Sequence, residues 1–401
     1  MTATVAPDPQ QRAGRSISRP LIVGSALGIG AAIAYLLLGD AVTEDGYREL
    51  GLAFLEGRMW IRADLPELVP IGDGRAYFPP PPVPALLYMP AQAVGLSPST
   101  TILSALVGGT GVALSYWLAR LLGSRAALWI AAGMAASTFG WAAGSGNDWL
   151  LAQVLAFTLV MGSLHLGFRR QLPLVAGLLL GLAAGSRLPA GLTLPLLLYL
   201  YRGDRRAWVW IAVGLLAVAL PVAAYNMARF GSPIDFGYAH IASLHHPGRT
   251  VLAESWFSEG IIHPSYIPRS IAVMLFGGFQ VEPSFPWLRV PVSGLSIAIA
   301  APVFLLAIRA PRSPVVMVAA ATALLVMLPN WAHGSWGFWQ FGYRFFIDAM
   351  PALLVPLALA YRGWPADRWL IGAATFTLAV NLYLFLAYEI GFTTRDLPFP
   401  P

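Results

Sequence analysis

The chain has 401 residues, of which 57% are hydrophobic and 11% charged, less than half the ~25% charged share of a soluble domain. Its apolar residues run in stretches that match the roughly 20 helical residues needed to cross a ~30 Å hydrocarbon core, which excludes a water-soluble fold. The basic residues are 25 arginines with no lysine, the net charge is +6 and cysteine is absent. The arginines lie scattered between apolar runs, which argues against a nucleic-acid partner, and disulfides, thiolate metal sites and a cysteine nucleophile are excluded.

Residues 1–19 are polar and carry Arg12, Arg15 and Arg19, as a cytoplasmic tail would. The apolar run from Leu21 to Leu38 is longer than a signal-peptide core and no small-residue cleavage site follows it, so it predicts a first transmembrane helix. Further spans are expected near residues 99–121, 126–142, 148–168, 173–185, 189–201, 207–228, 291–309, 314–329, 346–361 and 368–390. The expectation is therefore an all-α integral membrane protein of 1–401 as one unit, with about eleven transmembrane helices. The interruption Gly185-Ser-Arg187-Leu-Pro189 reads as a tight turn or a broken helix and widens the range to 10–13.

Placing the N-terminus in the cytoplasm sends 14 arginines and three acids to the inner face, and 11 arginines and 16 acids to the outer face. That is the asymmetry expected of a multi-pass protein of the cytoplasmic membrane. Inner connections are short, whereas two extracytoplasmic loops, 40–98 and 229–290, are long and are expected to carry function. Each holds an apolar stretch too short to span, Pro84 to Val94 and Ile271 to Phe279, which predicts helices lying in the interface.

The first loop opens with Asp40, Glu44 and Asp45 just before Tyr47. A carboxylate held in a roofed cavity there can act as a general base on a hydroxyl, with solvated juxtamembrane charge as the alternative. Asp73 to Pro80 follows, with a turn at Asp-Gly, then Arg75 and Tyr77, then a stiff proline run through Pro82. The series "EDGYRELGLAFLEGRMWI" and "DGRAYFPPPPVPALLYMPAQAVG" resembles the first outer loop of the polytopic GT-C glycosyltransferases, near the protein mannosyltransferase (glycosyltransferase family 39) and aminoarabinose transferase branch. "GLLLGLAAGSRLPAGLTLPLLLYL", "YNMARFGSPIDFGY" and "QFGYRFFIDAMPALLVPLALA" extend the resemblance over most of the chain.

The resemblance implies transfer of a sugar, with inversion, from a polyprenyl phosphate donor to a lipid, glycan or protein hydroxyl at the outer membrane face. It assigns the general base to the acidic pair Glu44 and Asp45, with Asp45 favoured and Asp40 the outside choice. The order Glu-Asp, one residue before Tyr47, departs from the commoner Asp-Glu with a wider gap. It also implies that Asp148, at the mouth of the fourth span, helps hold a divalent cation such as magnesium or manganese, or the donor phosphate. Capping of its own helix is the alternative.

Arg187, Arg229 and Arg344 stand where a lipid phosphate could be gripped by the planar guanidinium fork. Arg187 and Arg344 are the stronger candidates because an unpaired charge in their apolar settings is costly, while Arg229 reads as a snorkelling anchor. Arg75, Tyr77 and Tyr343 join them as donor-binding candidates. Trp331, Trp336, Trp339 and Tyr343, with His333, form an aromatic group that either stacks on a sugar or belongs to the interfacial belt. His240, His245, His246 and His263 show no zinc-type spacing. A transporter or flippase of lipid-linked sugars would put charge near mid-membrane in paired halves, and here charge gathers at span mouths. A non-catalytic partner with this fold is the remaining rival.

Overall fold

The computed structural model describes residues 9–39, 45–63, 65, 67–285, 287–338 and 340–389. It begins with the long helix α1 (Pro9–Leu38), followed by the short α2 (Gly46–Leu55), which opens the first long loop. An antiparallel hairpin, β1 (Val69–Gly72) and β2 (Arg75–Tyr77), pairs Val69 with Tyr77 and is followed by a 3-10 turn, Val83–Leu87, and α3 (Met89–Gln92). These last two take the place of the expected interfacial segment, started by prolines that fix the backbone and cannot donate. Then come α4 (Thr100–Leu121), α5 (Ala127–Ala135), α6 (Thr138–Ser145), α7 (Asp148–Arg169) and α8 (Pro173–Ala184). A 3-10 turn, Leu188–Thr193, leads to α9 (Leu194–Leu200) and α10 (Arg205–Phe230).

The second long loop contains short turns, the amphipathic α11 (Ile267–Phe276) and a small hairpin of β3 (Gln280–Val281) and β4 (Leu288–Arg289). The chain ends with α12 (Ile297–Ala300), the turn Pro302–Arg309, α13 (Pro314–Trp331), the turn Arg344–Asp348, α14 (Met350–Ala360) and α15 (Arg368–Glu389).

Among the described residues, five helices are long and apolar enough to cross a membrane: Arg19–Leu38 of α1, and α4, α7, α10 and α13. With several shorter apolar helices packed against them, they define a mostly helical, multi-pass membrane protein. Of the other expected spans, 368–390 is the continuous helix α15 and the rest are shorter or interrupted. Residues 126–142 are broken between α5 and α6, 173–185 forms the twelve-residue α8, and 189–201, 291–309 and 346–361 each include a 3-10 turn. Ser137 explains the first break. Its hydroxyl donates to the Met134 carbonyl at 2.7 Å and accepts from the Phe139 amide at 3.3 Å, ending one helix and starting the next.

A broken helix in an apolar slab must find other partners for its freed carbonyls. The Tyr35 hydroxyl of α1 donates to the Ala135 carbonyl at 2.9 Å, and the Asn381 amide of α15 donates to Ala136 at 2.6 Å. The interruption between α8 and α9 is handled alike, since the Gly185 carbonyl accepts from the Val83 amide at 3.2 Å.

The central helix is α7, 78% buried over its apolar window against 22% for α1 and for α10, which are peripheral. Helices α1 and α4 meet through glycine. A Cβ on Gly28 would stand 2.7 Å from the Gly109 carbonyl oxygen, so the backbones touch as small-residue membrane interfaces require. α7 thus carries its first residue, Asp148, into the protein beneath the first long loop.

Candidate functional site

The sequence places Asp45 and Asp148 about a hundred residues apart, and the fold joins them at one point. Asp148 is 4% exposed, and its carboxylate accepts from the backbone amides of Gly46 at 2.8 Å and Tyr47 at 3.3 Å. These are first-turn amides of α2, which have no partner inside their own helix and favour negative charge nearby. Asp148 therefore caps a neighbouring helix. Its own helix is capped by Asn147, whose side chain accepts from the Leu150 amide at 2.9 Å.

Asp45 is the N-cap residue of α2, makes no side-chain cap bond there, and pairs with Arg48 at 2.7 Å. The Thr100 hydroxyl faces its other oxygen at 3.5 Å and is itself within 2.7 Å of the Tyr88 hydroxyl. Glu44 and Asp40 lie outside the described residues. Replacing Asp148 by Ala strips two buried amides of their acceptor, each costing about 1–3 kcal/mol. The expected result is a clear drop in thermal stability in detergent, partly restored by Asn, whose amide oxygen can still accept.

A second group is organised around Phe345. The guanidinium carbons of Arg187 and Arg344 lie 5.3 Å and 5.6 Å from its ring centre. The His333 ring meets it edge-on at 5.7 Å. Arg187 comes from the interruption after α8, Arg344 from the turn before α14 and His333 from just past α13, so three separate segments bring basic groups to one phenyl ring. Arg187 pairs with Asp348 at 2.8 Å, with the Asp348 side chain fully buried, and Asn330 bonds to both partners, at 3.3 Å to Arg187 and 3.1 Å to Asp348.

Burial, with the added repulsion of Arg187, Arg344 and Arg269, pushes the His333 ring down to about 4, so it is neutral near pH 7. Arg269 of α11 stands 4.2 Å over Trp336 and donates to the Gly334 carbonyl.

The two groups adjoin. Gln153, five residues along α7 from Asp148 and thus about 7.5 Å by helical rise, donates to the Arg344 carbonyl at 3.3 Å. Tyr47, fully buried and edge-on to Phe78 at 5.0 Å, lies in the fields of both Asp148 and Arg187. Burial comes first among the causes that hold its hydroxyl well above the ordinary tyrosine range. Tyr238, stacked on Trp149 at 5.8 Å, is raised to about 12 by burial although Arg187, Arg229 and Arg344 all act on it in the opposite sense. The result is an acid edge and a basic centre at the same end of α7.

The other candidates fall elsewhere. Arg75 pairs with Asp73 at 2.9 Å and shares the Trp60 ring with Arg58 and Arg62, on the hairpin. Tyr77 lies edge-on to Phe230 at 5.6 Å, on the Arg229 side. Arg229 is not an exposed anchor: it is buried, donates to the Phe78 carbonyl at 2.7 Å and to Asn226 at 3.0 Å, and stacks 3.8 Å over Tyr225. It thereby pins the start of the proline run. The Tyr343 ring is buried in the core, and Trp331 points its indole nitrogen at the Met274 sulfur at 3.4 Å. Trp339 lies outside the described residues.

Among the histidines, His240 pairs with Asp235 and His245 with Glu254. No group of three metal-binding side chains occurs among the described residues. Each oxygen of Asp148 accepts from one backbone amide of α2.

Several participants were not singled out in the sequence, among them Phe345, Asp348 and Asn330. Asp348 offered a signal, an acid inside the apolar run that follows Arg344. Phe345 offered none.

The fold of this multi-pass helical membrane protein is similar to that of solved structures of other membrane proteins. The solved structure of the aminoarabinose transferase ArnT from Cupriavidus metallidurans, bound to undecaprenyl phosphate, is similar at a TM-score of 0.52 and 17% identity. That alignment covers 84% of this chain and 59% of that one. The apo form of the same enzyme aligns at 0.50 and 16% identity over 86% of this chain and 60% of that one. The apo oligosaccharyltransferase from Archaeoglobus fulgidus aligns at 0.48 and 14% identity over 94% and 56%. The chain thus spans about three-fifths of the length of the ArnT chain. No protein-family profile matches it, and no curated protein sequence does.

Proposed function

We propose that this protein is a membrane glycosyltransferase that moves a sugar from a polyprenyl phosphate donor to a lipid, glycan or protein hydroxyl at the outer face of the cytoplasmic membrane. The observation that carries this reading is the pair of adjoining groups at one end of α7, an acid edge at Asp45 and a basic centre on Phe345. The likeness to a structure bound to undecaprenyl phosphate supports the choice of donor.

In this reading Asp45 takes the proton of the acceptor hydroxyl as its oxygen attacks the anomeric carbon. The glycosyl–phosphate bond breaks from the opposite face, giving inversion, and the phosphate oxygen leaves with the electron pair. Arg344 and Arg187 face the charge that develops on the leaving phosphate, where preorganised donors in a dry site stabilise it. Arg187 keeps its position through Asp348 and Asn330.

The test is to supply the purified protein in nanodiscs with a radiolabelled polyprenyl phosphate sugar and a total lipid extract as acceptor source. Label moving to a new product, lost in Arg344→Ala, is the expected result. Wild-type protein that neither binds undecaprenyl phosphate nor consumes the donor would overturn the proposal.

A further inference from the structure

His333 stands apart from the other histidines. It lies between two phenyl rings, Phe257 at 5.6 Å and Phe345 at 5.7 Å, both edge-on. The charged groups acting on it from the surrounding segments are Arg187 before the Leu188–Thr193 turn, Arg344 before α14 and Arg269 on α11. Asp348, the acid of this group, is already held by Arg187 and Asn330. His263, whose segment bridges to His333 through the Ala332 carbonyl, turns its ring to Ser265 at 2.8 Å. His333 is only half-buried, so it sits at the rim of the basic centre.

We infer that His333 is a proton-accepting ligand of the phosphate subsite, becoming imidazolium when a phosphate oxyanion is bound beside Arg187 and Arg344. This rests on the glycosyl-transfer reading. Its physical basis is charge balance. The imidazole feels three guanidinium groups, and burial first, with their repulsion, lowers its basicity although its bond to the Ser335 carbonyl at 2.9 Å acts in the opposite sense. A bound phosphate offsets this positive field, and an opposite charge within ~4–6 Å favours the charged imidazole.

The chemistry makes that switch useful. The donor is a phosphodiester with one negative charge, and breaking its bond to sugar leaves a monoester that can carry two. A proton taken from solvent by His333 offsets the second charge, while the acceptor's own proton stays on Asp45. No oxidation state changes, and the gain is larger for the transition state and doubly charged product than for the singly charged donor.

The experiment is calorimetric titration of the full-length protein with undecaprenyl phosphate, in buffers of differing ionisation enthalpy, at pH 6 and pH 8. Wild-type protein is compared with His333→Gln, which keeps size and hydrogen bonding but cannot titrate. The ionisation of the lipid phosphate itself contributes equally to both proteins. At pH 6 the wild type is expected to take up close to one proton more per lipid bound than the variant. Its affinity should gain on the order of tenfold more than that of the variant between pH 8 and pH 6, as linkage of one proton requires. His333→Asn replaces the glutamine variant if the latter folds poorly.

Equal proton counts and parallel pH profiles in wild type and variant would overturn the inference and leave the proposed function standing. Failure of the wild type to bind the lipid at either pH would overturn both.

Discussion

Asp45→Asn is expected to reduce sugar transfer by about 10²–10⁴-fold, the usual contribution of a positioned general base, with no loss of folded protein. The structure explains why the fold should survive. The Asp45 side chain makes no cap bond to α2, because Asp148 already satisfies the amides of Gly46 and Tyr47. What is lost is the ion pair with the partly exposed Arg48, and such pairs contribute about 0–1 kcal/mol. Transfer rate and thermal midpoint, measured on the same detergent-purified sample, separate the two effects. Full activity in Asp45→Asn would remove Asp45 from the mechanism. A large fall in thermal midpoint would show that the carboxylate is structural.

The second large effect is expected at Arg187. Replacing it with Met leaves Asp348, whose side chain is fully buried, without its countercharge. Asn330 alone then faces that carboxylate. Removing one partner of a buried pair costs roughly 3–5 kcal/mol, whereas replacing both with apolar groups is often neutral. Arg187→Met should therefore lower the thermal midpoint severely, and Arg187→Met with Asp348→Leu should recover much of the loss. Neither variant should transfer sugar, since the guanidinium proposed to face the leaving phosphate is absent from both. A double variant as unstable as the single one would show that the pair is not the source of the effect.

The sequence exposed both of these residues. Asp45 could be picked out from its place after the first apolar run and before Tyr47. Arg187 could be picked out as a charge in an apolar setting. Their partnerships were not exposed. Asp148 was legible as an acid at a span mouth, yet its role as cap of α2 depends on a contact between residues 102 apart. The expected snorkelling of Arg229 failed for the same kind of reason. Its partners, the Phe78 carbonyl 151 residues away and the Tyr225 ring, are supplied by packing, and local polarity cannot report them.

The helix pattern shows a similar division. Apolar length found α1, α4, α7, α10 and α13 as continuous helices. It ran through the breaks at Ser137 and Ala301 because an apolar window records hydrophobicity and not whether each carbonyl has a donor.

The sequence by itself determined that this chain lives in a membrane, because hydrophobic length and the scarcity of charge are local properties that no packing can reverse. It also determined which residues could be chemical, since charge at span mouths is costly and stands out. Only the tertiary structure decided which of them meet. Arg187, Arg344 and His333 reach one phenyl ring from three segments, while Arg75 and Tyr77 go elsewhere. The physical reason is that a charge in an apolar slab must be matched by whatever partner the fold delivers, and that partner is set by three-dimensional packing rather than by distance along the chain.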